Sequence, residues 1–117
     1  MEIENAKITN VSISMADHGV LTFSLTLEGG DWGVCVGDYV IGHGYLGAEE
    51  FTAENGSGLV AMMKIMDTVG VETWEDLKGQ YIRVKTEGYW SPVHIIGNLL
   101  KDKWFDFEEF FSTYKGE

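Results

Sequence analysis

Cysteine and arginine are nearly absent from this chain, and each shortage excludes something. Cys35 is the single cysteine, so no internal disulfide can form and an intracellular protein is the simple expectation. Arg83 is the single arginine, and eight basic residues stand against nineteen acidic ones for a net charge of −11. Nucleic-acid binders depend on basic side chains to displace counterions from phosphates, so direct binding of DNA or RNA is not expected. An acidic surface repels nucleic acid and attracts basic protein surfaces, although acidity also serves solubility alone. No apolar run approaches the roughly 20 residues that span a bilayer, so no membrane partner is expected. The opening Met1-Glu2-Ile3-Glu4-Asn5 lacks the basic-then-apolar layout of a secretion signal.

Catalytic and metal motifs are missing as well. His18, His43 and His94 are the only histidines, and no His-x-His, His-x-x-x-His or Cys-x-x-Cys spacing occurs, so no metal site is expected. Cys35 sits between Val34 and Val36, where a packed thiol is the expectation rather than a nucleophile. Ser57 lies in Asn-Gly-Ser-Gly-Leu and not in the Gly-x-Ser-x-Gly of a nucleophile elbow. Gly56-Ser57-Gly58 could present backbone amides to an anion, but Glu49, Glu50 and Glu54 just before it oppose one. These residues predict a binding protein, with no enzymatic activity and no cofactor.

What is present predicts an α+β fold. Its 117 residues suit one domain, 1–117, with a single core. Lys7 to Ser14 alternates as an edge strand, with Ile8, Asn10, Ser12 and Ser14 on one face and Thr9, Val11 and Ile13 on the other. Val20 to Glu28 is the clearest strand: Leu21, Phe23, Leu25 and Leu27 face one way, Thr22, Ser24 and Thr26 the other. Trp32 to Ile41 is a third strand, whose Gly33 and Gly37 suggest a bulge or a close approach. Gly42 to Gly47 reads as a loop. Ser57 is the expected N-cap of a helix with the apolar stripe Leu59, Met62, Met63, Ile65, Met66 and Val69, stopped at Gly70. Thr73 and Asp76 have capping-box spacing before a short turn that closes at Gly79. Tyr81 to Glu87 alternates again, and Val93 to Ile96 is a short strand. Asp106 and Glu109 cap a short C-terminal helix with an aromatic face of Phe107, Phe110, Phe111 and Tyr114. The expectation is an antiparallel sheet of about five strands, one central helix packed on it and a short C-terminal helix.

Two clusters are candidates for binding. Asp102, Asp106, Glu108 and Glu109 surround Trp104 and Phe105, and an acidic patch threaded with aromatics can imitate DNA towards a basic groove. A solvated helix face is the commoner meaning of such a run. Trp32, Tyr39, Tyr45, Tyr89 and Trp90 lie in or beside glycine-rich loops, with His43, Arg83 and Lys85 as polar company. Such a set could stack a base and hold a phosphate, or pack a sheet face or a homo-oligomer interface.

Several segments resemble a family of small proteins encoded by tailed phages and prophages. They are Asp17-His18-Gly19-Val20-Leu21-Thr22-Phe23, Gly37-Asp38-Tyr39 with Gly42, Val69 through Gly79 with its Trp-Glu-Asp-Leu-Lys-Gly, Ile96-Gly97-Asn98, and Asp102-Lys103-Trp104-Phe105-Asp106. The resemblance covers nearly all of the chain and brings no catalytic residues with it. Members favour glycine where this chain has Asp38, which counts against a glycine-dependent ligand pocket there. The resemblance implies a viral protein acting in the cytoplasm of a bacterial host. The leading expectation is an anti-defence inhibitor that binds a host immune effector, such as a CRISPR nuclease, through Asp102, Trp104, Asp106, Glu108 and Glu109. The alternative is a sponge for a nucleotide immune signal, a cyclic nucleotide or ADP-ribose derivative, held by Trp32, Tyr39, His43, Arg83, Tyr89 and Trp90. A replication or structural accessory role for a phage is a third.

Overall fold

Strand Val20–Glu28 (β2) organises the molecule, as its alternation predicts. Phe23, Leu25 and Leu27 are fully buried on its inner face. Its outer face is made of hydroxyls, with the Ser24 and Ser12 hydroxyl groups 2.7 Å apart. The computed structural model describes residues 1–17, 19–43, 52–53, 56–87 and 92–114. Within them the chain runs Glu2–Asp17 (β1), β2, Gly33–His43 (β3), Thr52–Ala53 (β4), helix Ser57–Val69 (α1), a 3₁₀ turn Glu75–Leu77, Tyr81–Thr86 (β5), Ile95–Gly97 (β6), Trp104–Asp106 (β7) and helix Phe107–Thr113 (α2). The described strands pair antiparallel in the order β4-β3-β2-β1-β5-β6-β7.

The mixed, antiparallel architecture with two helices is as expected, but the sheet has seven described strands rather than five. β4 and β7 are two and three residues long, too short to leave a period-two pattern. β1 is not an edge strand. It is 16 residues long and lies between β2 and β5. Its register shifts between Ile8 and Asn10, and that bulge reverses which side chains face inward. Ala6 and Ile8 pair opposite Ile82 and Leu27, whereas beyond the bulge Val11 and Ile13 pair opposite Leu25 and Phe23. An unbroken alternation puts Ile8 opposite in sense to Val11; the bulge puts both on the core side.

β3 carries two further shifts against β2, around Asp38 and Ile41. Gly37 beside the first is a close-approach site: a Cβ there would fall 2.2 Å from the Ser24 Cβ. Val34 and Val36 turn towards the core, which leaves Cys35 opposite Thr26 on the outer face. Its thiol is exposed and not packed.

The helix α1 also rotates away from its expected stripe. Gly58, Ala61, Met62, Ile65 and Thr68 are its buried residues, while Leu59 and Met63 are 50% and 66% exposed. The cause is Gly58, whose lack of a side chain lets the helix sit directly on the backbone of Val40 and Ile41. The N-cap is Gly56, in the left-handed region at φ +86°, rather than Ser57. The C-terminal stop is Gly70 as expected, at φ +97°, with its N–H donated to the Met66 carbonyl. The amide of Asp76 donates to the Thr73 hydroxyl at 3.1 Å, the cap its spacing predicts. Ile82 and Val84 are fully buried in the core. The core closes with Ile96, Phe105 and Phe107, the last at the start of the C-terminal helix.

Candidate functional site

The far edge of the sheet, where β7 turns into α2, brings the acidic candidates together. Trp104 and Asp106 alternate with buried Phe105, so both lie on the outer face of the sheet. Trp104 pairs opposite Gly97, and its ring lies over that glycine; a Cβ on Gly97 would fall 2.3 Å from the ring. Arg83 and Lys85, on the same face of β5, bring their charges to 4.6 and 4.4 Å from the ring centroid. Cation–π contacts of this kind contribute roughly 0.5–1 kcal/mol each at exposed sites. The indole N–H donates to Asp102 at 2.8 Å. Trp104 is thereby held on every polar and charged side by named partners.

Arg83 does more than touch the ring. Its Nε donates to the Asn98 carbonyl at 2.8 Å and its Nη2 to the Lys101 carbonyl at 2.9 Å, so it braces the turn between β6 and β7. Asp106 is similarly occupied. Its carboxylate accepts the Glu109 amide at 3.1 Å as the N-cap of α2, and the His94 Nδ1 at 3.1 Å. Burial raises the Asp106 pKa, but the Glu109 amide and His94 outweigh it, and the net direction is below the ordinary 3.8. The His94 Nε2 is 3.8 Å from Glu108. Glu108 and Glu109 occupy the first turn of α2, where the helix dipole favours negative charge, and both remain exposed.

A depressed carboxyl contributes stability that is present above its unfolded pKa and lost as pH falls through the folded one. Asp106→Asn keeps a competent cap but removes the charge. It is expected to cost about 1 kcal/mol at neutral pH, a deficit that shrinks steadily as the wild-type carboxylate is protonated below pH 3.8. Urea unfolding of both proteins across that range checks this. A difference that stays constant with pH would show that the charge plays no part.

Beside β7 an open groove of about 620 Å³ runs between the C-terminal half of α1 and the helix α2. Lys64, Lys103 and Lys85 line it with Asp67, Asp106 and Glu109, over an apolar floor that includes Trp104 and Phe110. Lys103 is tied to Asp67 at 3.3 Å. Three of the eight basic residues of the chain therefore line one groove, and Arg83 adjoins it.

The aromatic pocket expected around Trp32, Tyr39, His43, Arg83, Tyr89 and Trp90 is not assembled from its described members. Trp32 packs over Gly29 at the β2–β3 turn and against the core. Tyr39 stacks on Phe23, Phe107 and Phe111 at 5.6, 5.1 and 4.7 Å, beneath α2. Burial, followed by the nearby charges of Glu108 and Asp106, raises its pKa above 10.0. The two residues stand seven positions apart along an extended chain, roughly 20 Å of backbone. Arg83 belongs instead with Trp104. The side chain of His43 and the residues Tyr89, Trp90 and Tyr45 lie outside the described residues.

Sequence reasoning missed His94, Gly97 and Asn98 as builders of this corner. Only the Gly-Asn turn signal after a short strand pointed to the last two. Among the described residues no group of three or more His, Cys, Asp or Glu could hold a metal ion, and no helix is long and apolar enough to cross a membrane. Compared with models of protein families, with curated proteins and with solved structures, the chain shows no match.

Proposed function

We propose that this protein is a phage-encoded inhibitor of bacterial immunity that works by stoichiometric binding in the host cytoplasm. Its acidic β7–α2 corner occupies the basic groove of a nucleic-acid-binding immune effector such as a CRISPR nuclease. The observation that carries this reading is the rigid presentation of Glu108 and Glu109. They stand exposed on a helix whose cap, Asp106, is bonded to both the helix and His94. Asp102 and Trp104 extend the same surface through their own hydrogen bond. Fixed charges need no ordering on contact, which favours affinity, and a chain of net charge −11 is steered towards a cationic groove.

Competition between the protein and target DNA for a purified CRISPR nuclease tests this. A one-to-one complex is expected that excludes DNA. It should weaken at least about tenfold between roughly 50 and 200 mM salt, and again in the Glu108→Lys, Glu109→Lys double variant. A complex indifferent to salt and to both charges would overturn the proposal, as would no complex at low salt.

A second reading is favoured by the three groove lysines beside Trp104: a sponge for a nucleotide immune signal, with phosphate on Lys64 and Lys85. Calorimetry with cyclic and ADP-ribose-type nucleotides separates the two readings. Tight binding lost in Lys85→Ala supports the sponge, and silence across the panel counts against it.

A further inference from the structure

We infer that His94 is a proton-operated latch on the acidic corner: as imidazolium it ties Glu108 to Asp106, and as neutral imidazole it leaves Glu108 to a partner. This rests on the acidic-binder reading above and adds how that surface is regulated.

Both ring nitrogens of His94 face carboxylates. Nδ1 lies 3.1 Å from the Asp106 Oδ1, and Nε2 lies 3.8 Å from the Glu108 Oε2. A neutral imidazole carries one N–H, an imidazolium donates from both nitrogens, and an ionised carboxylate only accepts. In the neutral ring the single N–H serves Asp106, the closer acceptor. The bare Nε2 lone pair then meets the negative charge of Glu108. A proton on Nε2 turns that opposition into an ion pair. Histidine is the side chain that makes this change between about pH 5 and 8.

The two carboxylates differ in what else they do. Asp106 is the N-cap of α2, accepts the Glu109 amide at 3.1 Å and is 28% exposed. Its pKa lies below the ordinary 3.8, because the Glu109 amide and His94 outweigh burial, so it stays ionised through that range. Glu108 is 66% exposed on the first turn of α2. A cation on a partner therefore reaches Glu108 directly and competes with the ring for it.

Other charged and titratable groups surround this pair. Tyr39 on β3 stands beneath α2, where burial and the charges of Glu108 and Asp106 raise its pKa above 10.0. Lys85 on β5 pairs with Ile95, which pairs with Asp106, and it lines the groove together with Asp106 and Glu109. Carboxylates titrate below the range of histidine, and lysine and tyrosine above it. Among these described neighbours, the proton on His94 is what changes the charge of the corner.

The test uses the full chain with N-acetylated hexalysine as the cationic probe, at about 50 mM salt, where screening is weak. Wild-type affinity is expected to rise about threefold or more from about pH 5.5 to 8, the scale of one exposed charge pair. His94→Gln keeps an amide donor for Asp106 but takes up no proton. It should lose that rise and bind as tightly as wild type at the upper end. His18 and His43 are common to both proteins, so the difference between the two profiles belongs to His94. Glu108→Gln, at an exposed position, keeps the ring and removes its second partner; it should also lose the rise, while binding more weakly at the upper end. Equal profiles for wild type and His94→Gln would overturn the latch and leave the acidic-binder reading intact, as would a full rise in Glu108→Gln. No binding of hexalysine at any pH would sink the latch and that reading together.

Discussion

Asn98→Ala is expected to destabilise the fold by about 3 kcal/mol, the largest effect of any polar substitution near the candidate site. The Asn98 side chain makes four bonds. Its Nδ2 donates to the Thr68 and Val69 carbonyls at 3.0 and 3.1 Å, and its Oδ1 accepts the Leu100 and Lys101 amides, both at 2.9 Å. The first pair satisfies carbonyls that the C-terminus of α1 leaves without partners. The second folds the turn that leads into β7. At roughly 0.5–1.5 kcal/mol per bond the sum reaches about 3 kcal/mol, a melting shift on the order of 15 °C for a domain of this size. Asn98→Asp separates the two halves. It keeps the turn acceptor but loses both donors and sets a negative charge against the negative end of a helix, so it should cost about as much as alanine. Chemical unfolding of both variants measures this. A loss below about 1 kcal/mol in Asn98→Ala would mean that the turn and helix are joined by packing alone.

Gly58→Ala should be nearly as damaging, although alanine is the better helix former by about 1 kcal/mol. A Cβ at Gly58 would fall 2.4 Å from the Val40 carbonyl oxygen and 2.8 Å from the Ile41 Cα. Both are backbone atoms, so no rotamer change relieves the clash. The helix must lift off β3 and loosen Ala61, Met62 and Ile65 beneath it. Overpacking of this kind costs about 1–3 kcal/mol, which exceeds the propensity gain. Gly30→Ala is the control. Nothing lies within 4 Å of its Cβ position and its φ is not positive. It should be neutral or slightly stabilising. Thermal unfolding of the pair decides the matter, and equal stability of Gly58→Ala and wild type would refute the close-approach account.

Much of the candidate site was legible, but its meaning was not. Asp102, Trp104, Asp106, Glu108 and Glu109 do converge, because a three-residue strand runs directly into a seven-residue helix and little chain separates them. What the linear pattern hid is that Asp106 and Asp102 are engaged inside the corner, as a helix cap and as the acceptor for the Trp104 indole. His94, the partner of Asp106, stands just before β6, and Arg83, the cation over Trp104, comes from β5; no local spacing announces a partner twelve or more residues away. The described members of the aromatic set are divided for a related reason. Trp32 and Tyr39 are neighbours in composition, yet an extended strand holds them far apart and the core claims both rings.

By itself the sequence determined the class of elements and their punctuation. Period-two alternation in Val20 to Glu28 and Tyr81 to Glu87, the stop at Gly70, the Thr73 and Asp106 caps and the aromatic face of α2 all follow from interactions within a few residues. Tertiary structure alone decided which side of β1 faces inward, how α1 is rotated and how the start of β7 is tied to α1. The β1 bulge answers to the register of both neighbouring strands. The rotation of α1 answers to a carbonyl on β3, and the tie between α1 and the start of β7 to an ion pair between Lys103 and Asp67, 36 residues apart. Local propensity is written in adjacent residues, whereas register and helix docking are set between distant ones.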